Sequence, residues 1–312
     1  MKLTKLLTFL LSVSLLAGCQ SNPRADIVTS LFPQYDFARQ IVGDKLSVSL
    51  LVPPGAEAHD YEPTSRDLEA IRASKLFIFT AYEWDTWLGN DVSKFVDKGS
   101  ALNIFENIDL EHIESEHDEE HDATVDHDDH DHGSMHFWTN PKVAIEMLEV
   151  ILDAIVAIDP TNRDFYINNA NNYISKLNAL DETMHEYFGT TSSNKIFFAG
   201  HNAMEFFAER FHLEIEALTE GFQPDADITS TQLENLIKNI ENNGAKFIFV
   251  EELKEPKIAN TIKNELSKKG YNISILELHG YHNVTKKQLD DKISYLDLMS
   301  QNFNNLKQAL KP

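Results

Sequence analysis

The sequence predicts an α/β protein of two small lobes with mainly parallel sheets, joined by one long rigid helix. Three observations carry that prediction. Short apolar runs alternate with helical patterns in two separate blocks. Between the blocks, Thr161 to Phe188 contains neither Gly nor Pro and carries a helical apolar stripe. Finally, the chain has 312 residues, enough to bury one large core or two smaller ones.

The N-terminus comes first. Lys2 and Lys5 flank the start of an apolar run from Leu6 to Leu16. That run is too short to span a bilayer, which takes ~20 apolar residues, so residues 1–18 read as a secretory signal. It ends in Leu16-Ala17-Gly18-Cys19, which resembles the lipobox of bacterial lipoproteins. Cys19 is then the lipidation site, and residues 19–25 form a short tether that holds the protein to the outside of the cell membrane. Because Cys19 is the sole cysteine, internal disulfides and cysteine-built zinc sites are excluded. Removing residues 1–18 takes away two lysines and moves the net charge from −23 to −25. Such acidity argues against a nucleic-acid partner, which needs clustered Lys and Arg. A negative field instead raises the local concentration of cations.

The first block, residues 26–158, holds expected strands at Asp26–Phe32, Leu46–Val52, Lys75–Thr80 and Leu102–Phe105, with helices near Gln34–Val42, Thr64–Arg72 and Asp85–Phe95. Within it, residues 111–135 stand apart. From Glu111 to His132, 17 of 22 residues are His, Asp or Glu. Such a segment cannot bury enough apolar surface to order itself and is expected to be a mobile loop. Its histidines (His112, His117, His121, His127, His130, His132) point to metal binding, with a merely solvated acidic loop as the alternative. Any binding there loses affinity to the entropy of ordering the loop.

The linking helix is expected over 159–189. Asp159-Pro160-Thr161 is a start signal and Gly189 a stop. Tyr166, Ala170, Tyr173, Leu177, Leu180, Met184 and Tyr187 recur in steps of four and three, although a break near Asn171-Asn172 would give two helices. The second block, residues 190–312, repeats the rhythm of the first. Strands are expected at Lys195–Ala199, Leu213–Leu218, Lys246–Val250 and Ile273–Leu278, helices near Ala203–Arg210, Ser230–Asn242 and Lys257–Lys269, and a final helix over Lys286–Leu310.

Position separates candidate metal ligands from ordinary histidines. His59 lies in the loop after the second strand, His201 follows Phe197-Phe198-Ala199-Gly200, and His279 and His282 follow Ile273–Leu278. Ligands of open α/β sheets bind beyond the carboxyl ends of strands. His136 opens His136-Phe137-Trp138-Thr139-Asn140-Pro141, just before a helix. By contrast His185, late in the linking helix, and His212, at a strand start, read as structural or surface residues.

Three segments carry a family resemblance: Gly55-Ala56-Glu57-Ala58-His59-Asp60-Tyr61-Glu62-Pro63, His136-Phe137-Trp138-Thr139-Asn140-Pro141 and Gly200-His201-Asn202-Ala203. They resemble the metal-site motifs of the zinc- and manganese-specific solute-binding lipoproteins of ABC importers, the ZnuA/TroA-like group. The likeness extends over the mature chain and includes the acidic His-rich loop and the long helix. It implies a monomeric receptor, not an enzyme, that binds its ion between the lobes and passes it to a membrane permease with its ATPase. It also implies that His59, His136 and His201 are the first three ligands. Members of the family commonly supply Asp or Glu as the fourth; here the segment reads Leu276-Glu277-Leu278-His279-Gly280-Tyr281-His282-Asn283. Counting from the strand favours His279; His282 comes next, a water third, and Glu277 is disfavoured by its place inside the strand. The family's manganese receptors usually show a carboxylate where His201 stands. Three imidazoles therefore favour Zn2+ over Mn2+, with copper and nickel able to compete in vitro.

Other classes compete with the receptor. Three histidines and a water also build hydrolytic zinc sites, yet neither the His-Glu-x-x-His helix motif nor Gly-x-Ser-x-Gly occurs. An envelope metal buffer or adhesin would use the loop as its main site. Glu57, Asp60 and Glu205 are candidates for orienting the imidazoles, by proximity alone.

Overall fold

The computed structural model describes residues 25–96, 101–110, 135–219 and 229–312. The signal segment, Cys19 and the six loop histidines lie outside the described residues.

Two four-stranded parallel sheets form the two lobes. The first contains β1 (Ile27–Thr29), β2 (Val48–Leu50), β3 (Leu76–Phe79) and β4 (Ala101–Asn103), in the order β2-β1-β3-β4. The second repeats that order with β5 (Lys195–His201), β6 (Glu214–Thr219), β7 (Phe247–Val250) and β8 (Ser274–Glu277), as β6-β5-β7-β8. Each sheet thus reverses its winding next to its first strand. That reversal opens a crevice at the carboxyl ends of the central strands.

Helices cover the sheets. The first lobe uses α1 (Phe32–Val42), α2 (Ser65–Ala73) and α3 (Pro141–Ile158). Asn140 caps α3 by accepting from the Lys142 N–H, and Pro141 fits the first helical turn, where its missing N–H costs nothing. The linking helix α4 (Arg163–Phe188) is continuous over 26 residues, or roughly 39 Å at 1.5 Å per residue. The second lobe adds α5 (Glu205–Arg210), α6 (Ser230–Asn242), α7 (Lys257–Lys268), α8 (Lys286–Asp290) and α9 (Tyr295–Ala309).

Three expectations needed correction. Asp85–Phe95 is not an α-helix; it makes two short 3₁₀ turns, Thr86–Leu88 and Val92–Lys94. Gly89, at φ +59°, stops the first turn, and Asp91 caps the second by accepting from the Ser93 N–H. The final helix is split into α8 and α9. Lys292 adopts φ +59°, and Ser294 and Asp297 form a new capping box. In α4 the expected stripe drifts toward the C-terminus, because 3.6 residues per turn does not match steps of three and four indefinitely. Asp181 and Phe188 are buried there, while Leu180 and Tyr187 are partly exposed.

That buried Asp181 helps to fix the lobes. It accepts a forked pair from Arg210 of α5, Nε to Oδ1 at 2.9 Å and the guanidinium to Oδ2 at 2.6 Å. At the other end, Asp36 of α1 is fully buried and accepts from Tyr173 Oη of α4 (2.7 Å), Arg39 Nε (2.8 Å) and the Tyr295 N–H of α9 (2.8 Å). A buried carboxylate is tolerated only with such saturation. One apolar core runs through both lobes, with Phe37, Tyr173, Tyr295, Leu298 and Phe207 among its members. α4 is therefore a packed spine pinned at both ends.

Candidate metal centre

Four histidines meet at the crevice. One nitrogen from each of His59, His136, His201 and His282 lies within 4.8 Å of all the others. His136 Nε2 is 3.3 Å from His59 Nε2 and 3.5 Å from His201 Nε2. A tetrahedral zinc with Zn–N bonds of ~2.0–2.1 Å needs its nitrogens about 3.3–3.4 Å apart. These two spacings are close to that figure.

His59 comes from the loop after β2, His136 from the turn ahead of α3, His201 from the last residue of β5, and His282 from the segment after β8. Glutamates orient three of the rings. His59 Nδ1 is 2.7 Å from Glu57 Oε1, His201 Nδ1 is 2.8 Å from Glu251 Oε1, and His282 Nδ1 is 2.8 Å from Glu252 Oε1. A carboxylate there holds the proton on Nδ1, so each Nε2 presents its lone pair to the crevice. Lone pairs that converge on one point suit a cation. Indeed His282 Nε2 is buried with no hydrogen-bond partner among the described residues.

Two glycines make room for these carboxylates. A Cβ on Gly200 would lie 2.3 Å from Glu251 Oε1, and one on Gly280 would lie 2.5 Å from His282 Cε1. Their absence lets Glu251 accept the His201 backbone N–H as well (3.1 Å), and lets the His282 ring fold back over the chain while Glu252 accepts the Gly280 N–H (2.7 Å). Glu251 and Glu252 are consecutive at the carboxyl end of β7, beside β5. Sequence reasoning missed both, although the strand-end rule that found the histidines applies equally to them. Of the proximity candidates, Glu57 pairs with His59, while Asp60 and Glu205 are solvent-exposed.

The structure brings His59, His136 and His201 together and places His282, not His279, beside them. The chain turns sharply after β8. Gly280 and Tyr281, the latter at φ +64°, reverse its direction. His279 is left buried on the α9 side, its N–H donating to Asn302 Oδ1 and its Nδ1 accepting the Tyr281 N–H. Glu277 ends β8 and is exposed, and His185 and His212 are exposed and not part of the cluster.

Burial lowers the proton affinity of His59, and lowers that of His136 further, with the neighbouring imidazoles adding to it. Both are neutral donors at pH 7. Burial also works against a charged His282, but Glu252, with Glu251 and Glu57 beside it, outweighs burial and raises that pKa above the ordinary value. Trp84 and Trp138 wall the site, with the Trp84 ring 4.7 Å from His59 and edge-on to Trp138 at 4.9 Å. Trp138 Nε1 donates to the Gly280 carbonyl (2.8 Å), tying the turn to the first lobe. A cleft of about 320 Å³, bordered by Glu57, His59, Glu251, Lys254 and His282, leads in from solvent.

The chain is 32% identical over 288 residues to the high-affinity zinc uptake system protein ZnuA of Bacillus subtilis, spanning 91% of this chain and 87% of that one. It is 29% identical over 314 residues to the zinc-binding lipoprotein AdcA of Streptococcus pneumoniae, covering 99% of this chain but 61% of that longer protein. The metal-dependent lipoprotein YcdH of Bacillus subtilis superposes with a TM-score of 0.73 at 28% identity, over 91% of this chain and 99% of the other. Residues 27–309 match the family model described as ZnuA, zinc-uptake complex component A periplasmic. With a match over nearly the whole of both lobes, the chain belongs to the ZnuA family.

Proposed function

We propose that this protein is the extracytoplasmic receptor of an ABC importer. It captures Zn2+ between its lobes and delivers the ion to a membrane permease driven by an ATPase. The observation that carries this reading is the convergence of four imidazole nitrogens, three of them backed by glutamates, at the junction of the two lobes. In this reading His59, His136, His201 and His282 are the ligands, and lipid on Cys19 holds the monomeric receptor at the membrane.

Chemistry supports zinc over manganese. Imidazole suits zinc, copper and nickel, whereas manganese favours oxygen donors. Here the nearby carboxylates bind imidazole N–H groups and are not directed at the ion. The names of the relatives, zinc uptake system protein and zinc-binding lipoprotein, agree with that chemistry. Four protein donors also fill a tetrahedral shell, leaving no open position for substrate or activated water. That is the shell of a carrier, where a hydrolase would keep one place free.

Calorimetric titration of the apo-protein with zinc tests the reading. One tight site is expected, weakened at least a hundredfold by His136→Ala and by His282→Ala. Unchanged tight binding in either variant would refute the assignment of that residue.

A further inference from the structure

The four histidines do not divide evenly between the lobes. His282 follows β8 of the second lobe, yet its segment is hydrogen-bonded to the first. Gly55 N–H donates to the Val284 carbonyl (2.8 Å), Asn283 Nδ2 donates to the carbonyls of Pro53 (2.7 Å) and Ala56 (3.0 Å), and Trp138 Nε1 reaches Gly280. Three imidazoles, those of His59, His136 and His282, are thus linked to one body, although Glu252 also ties the His282 ring to the second sheet. His201 is fastened to another, at the end of β5 and held by Glu251 of the same sheet.

Lys254 lies across the seam between these bodies. Its ammonium is 3.3 Å from Glu57 Oε2 in the first lobe and 3.9 Å from Glu251 Oε2 in the second. These are the glutamates whose other oxygens hold His59 and His201. Its backbone is shaped for the task. Leu253 adopts φ +62° and the Lys254 N–H donates to the Glu252 carbonyl at 2.8 Å, a tight turn of a strained kind for a leucine. Leu253 itself is 39% exposed, so its burial does not repay that strain. The consequence of the turn is to bring Lys254 back over the cleft mouth.

Resting on the receptor reading above, we propose that Lys254 is a clasp: a positioning residue that holds the His201 corner against the three-histidine body and sets how long zinc stays bound. Zinc leaves when the Glu57–Lys254–Glu251 bridge opens and His201 withdraws. The remaining three imidazoles keep their arrangement, ready for the next ion. Because the bridge is partly exposed, salt screens it and shortens the dwell time.

Stopped-flow transfer of zinc from the full-length protein to a chromophoric chelator in excess tests this. Lys254→Met keeps the side-chain stem and removes the charge. It should release zinc about fivefold faster, near the ceiling for a partly exposed ion pair, and should lose the acceleration by salt seen in the wild type. Lys254→Arg should restore both. A release rate equal to or slower than the wild type would overturn the clasp; a slower rate would show that the ammonium only repels the ion. A wild-type protein that retains no zinc through gel filtration would instead overturn the receptor reading, which keeps the two failures apart.

Discussion

Replacing Gly200 with alanine puts a methyl carbon 2.3 Å from Glu251 Oε1 and 3.0 Å from the Phe198 ring. The backbone φ of Gly200 is not in the left-handed region, so the conflict comes from the added atom alone. Glu251 must retreat, since a carboxylate on a flexible stem yields before a buried ring does. Its retreat removes the acceptor of both His201 Nδ1 (2.8 Å) and the His201 backbone N–H (3.1 Å). Loss of such a supporting group typically lowers metal affinity 10- to 100-fold, or about 1.4–2.8 kcal/mol at 1.4 kcal/mol per factor of ten. Competition against a chelator of known zinc affinity, at pH 7.5, reads this directly. A thermal melt of the apo-protein checks that the fold survives. The decisive comparison is a double-mutant cycle, because Gly200→Ala is argued to act through Glu251. In a Glu251→Ala background only the tight contact with Phe198 remains, and the glycine substitution should cost much less than in the wild type. If it costs as much there as in the wild type, the carboxylate is not the route, and the account of Gly200 is wrong.

Other predictions follow from the same geometry. His279→Asn should keep one tight zinc per chain while lowering the melting temperature, and loss of zinc stoichiometry would return His279 to the ligand set. Deleting residues 111–132 should leave the tight calorimetric site intact, whereas its disappearance would make the loop the main site. Asp85 is buried and its pKa is pushed up to about 7 by desolvation, against the opposing Thr80 N–H and Ser30 hydroxyl. A carboxyl group whose folded-state pKa is raised stabilises fully below its unfolded value of 3.8, and that contribution is lost as pH rises through about 7. Asp85→Asn should therefore flatten the stability difference between pH 4.5 and pH 8 by roughly 3–4 kcal/mol, and parallel pH profiles of the two proteins in chemical denaturation would refute the burial argument. The depressed pKa values of His59 and His136 act in the opposite direction. The unfolded chain takes up those protons first, so apo-protein stability falls as pH drops below 6.5, and an acid limb that persists undiminished in His136→Gln would contradict this.

Much of the site was legible because strand-end loops converge at the switch point of a parallel sheet. Alternating apolar runs placed all eight strands within two residues of their observed starts, and His59 and His201 sit in the loop after β2 and at the end of β5. The choice between His279 and His282 was not legible, since it depends on a left-handed Tyr281 and on a glycine at 280 that lets a ring fold back. Neither the sign of a φ angle nor the direction of a ring follows from spacing. Glu251 and Glu252 were within reach of the strand-end rule; attention to histidines alone hid them. Asp85–Phe95 misled because its apolar residues imitate a helical stripe, while Gly89 and Asp91 carry the local signals that break it. The breadth of the apolar core across both lobes also exceeded the expectation of two bodies on a spine. It arises from α1, α3, α4 and α9 packing together, which no periodicity within one segment can reveal.

In the proposed site four imidazoles, and no carboxylate or water, enclose one zinc between the lobes. A crystal structure of the zinc-loaded protein, with anomalous scattering recorded on both sides of the zinc edge, tests this most directly. A single strong interlobe peak is expected about 2.0–2.1 Å from one nitrogen each of His59, His136, His201 and His282, with Glu57, Glu251 and Glu252 still on the Nδ1 atoms. A peak bound by His279, by a glutamate oxygen or by a water in the fourth place would contradict it.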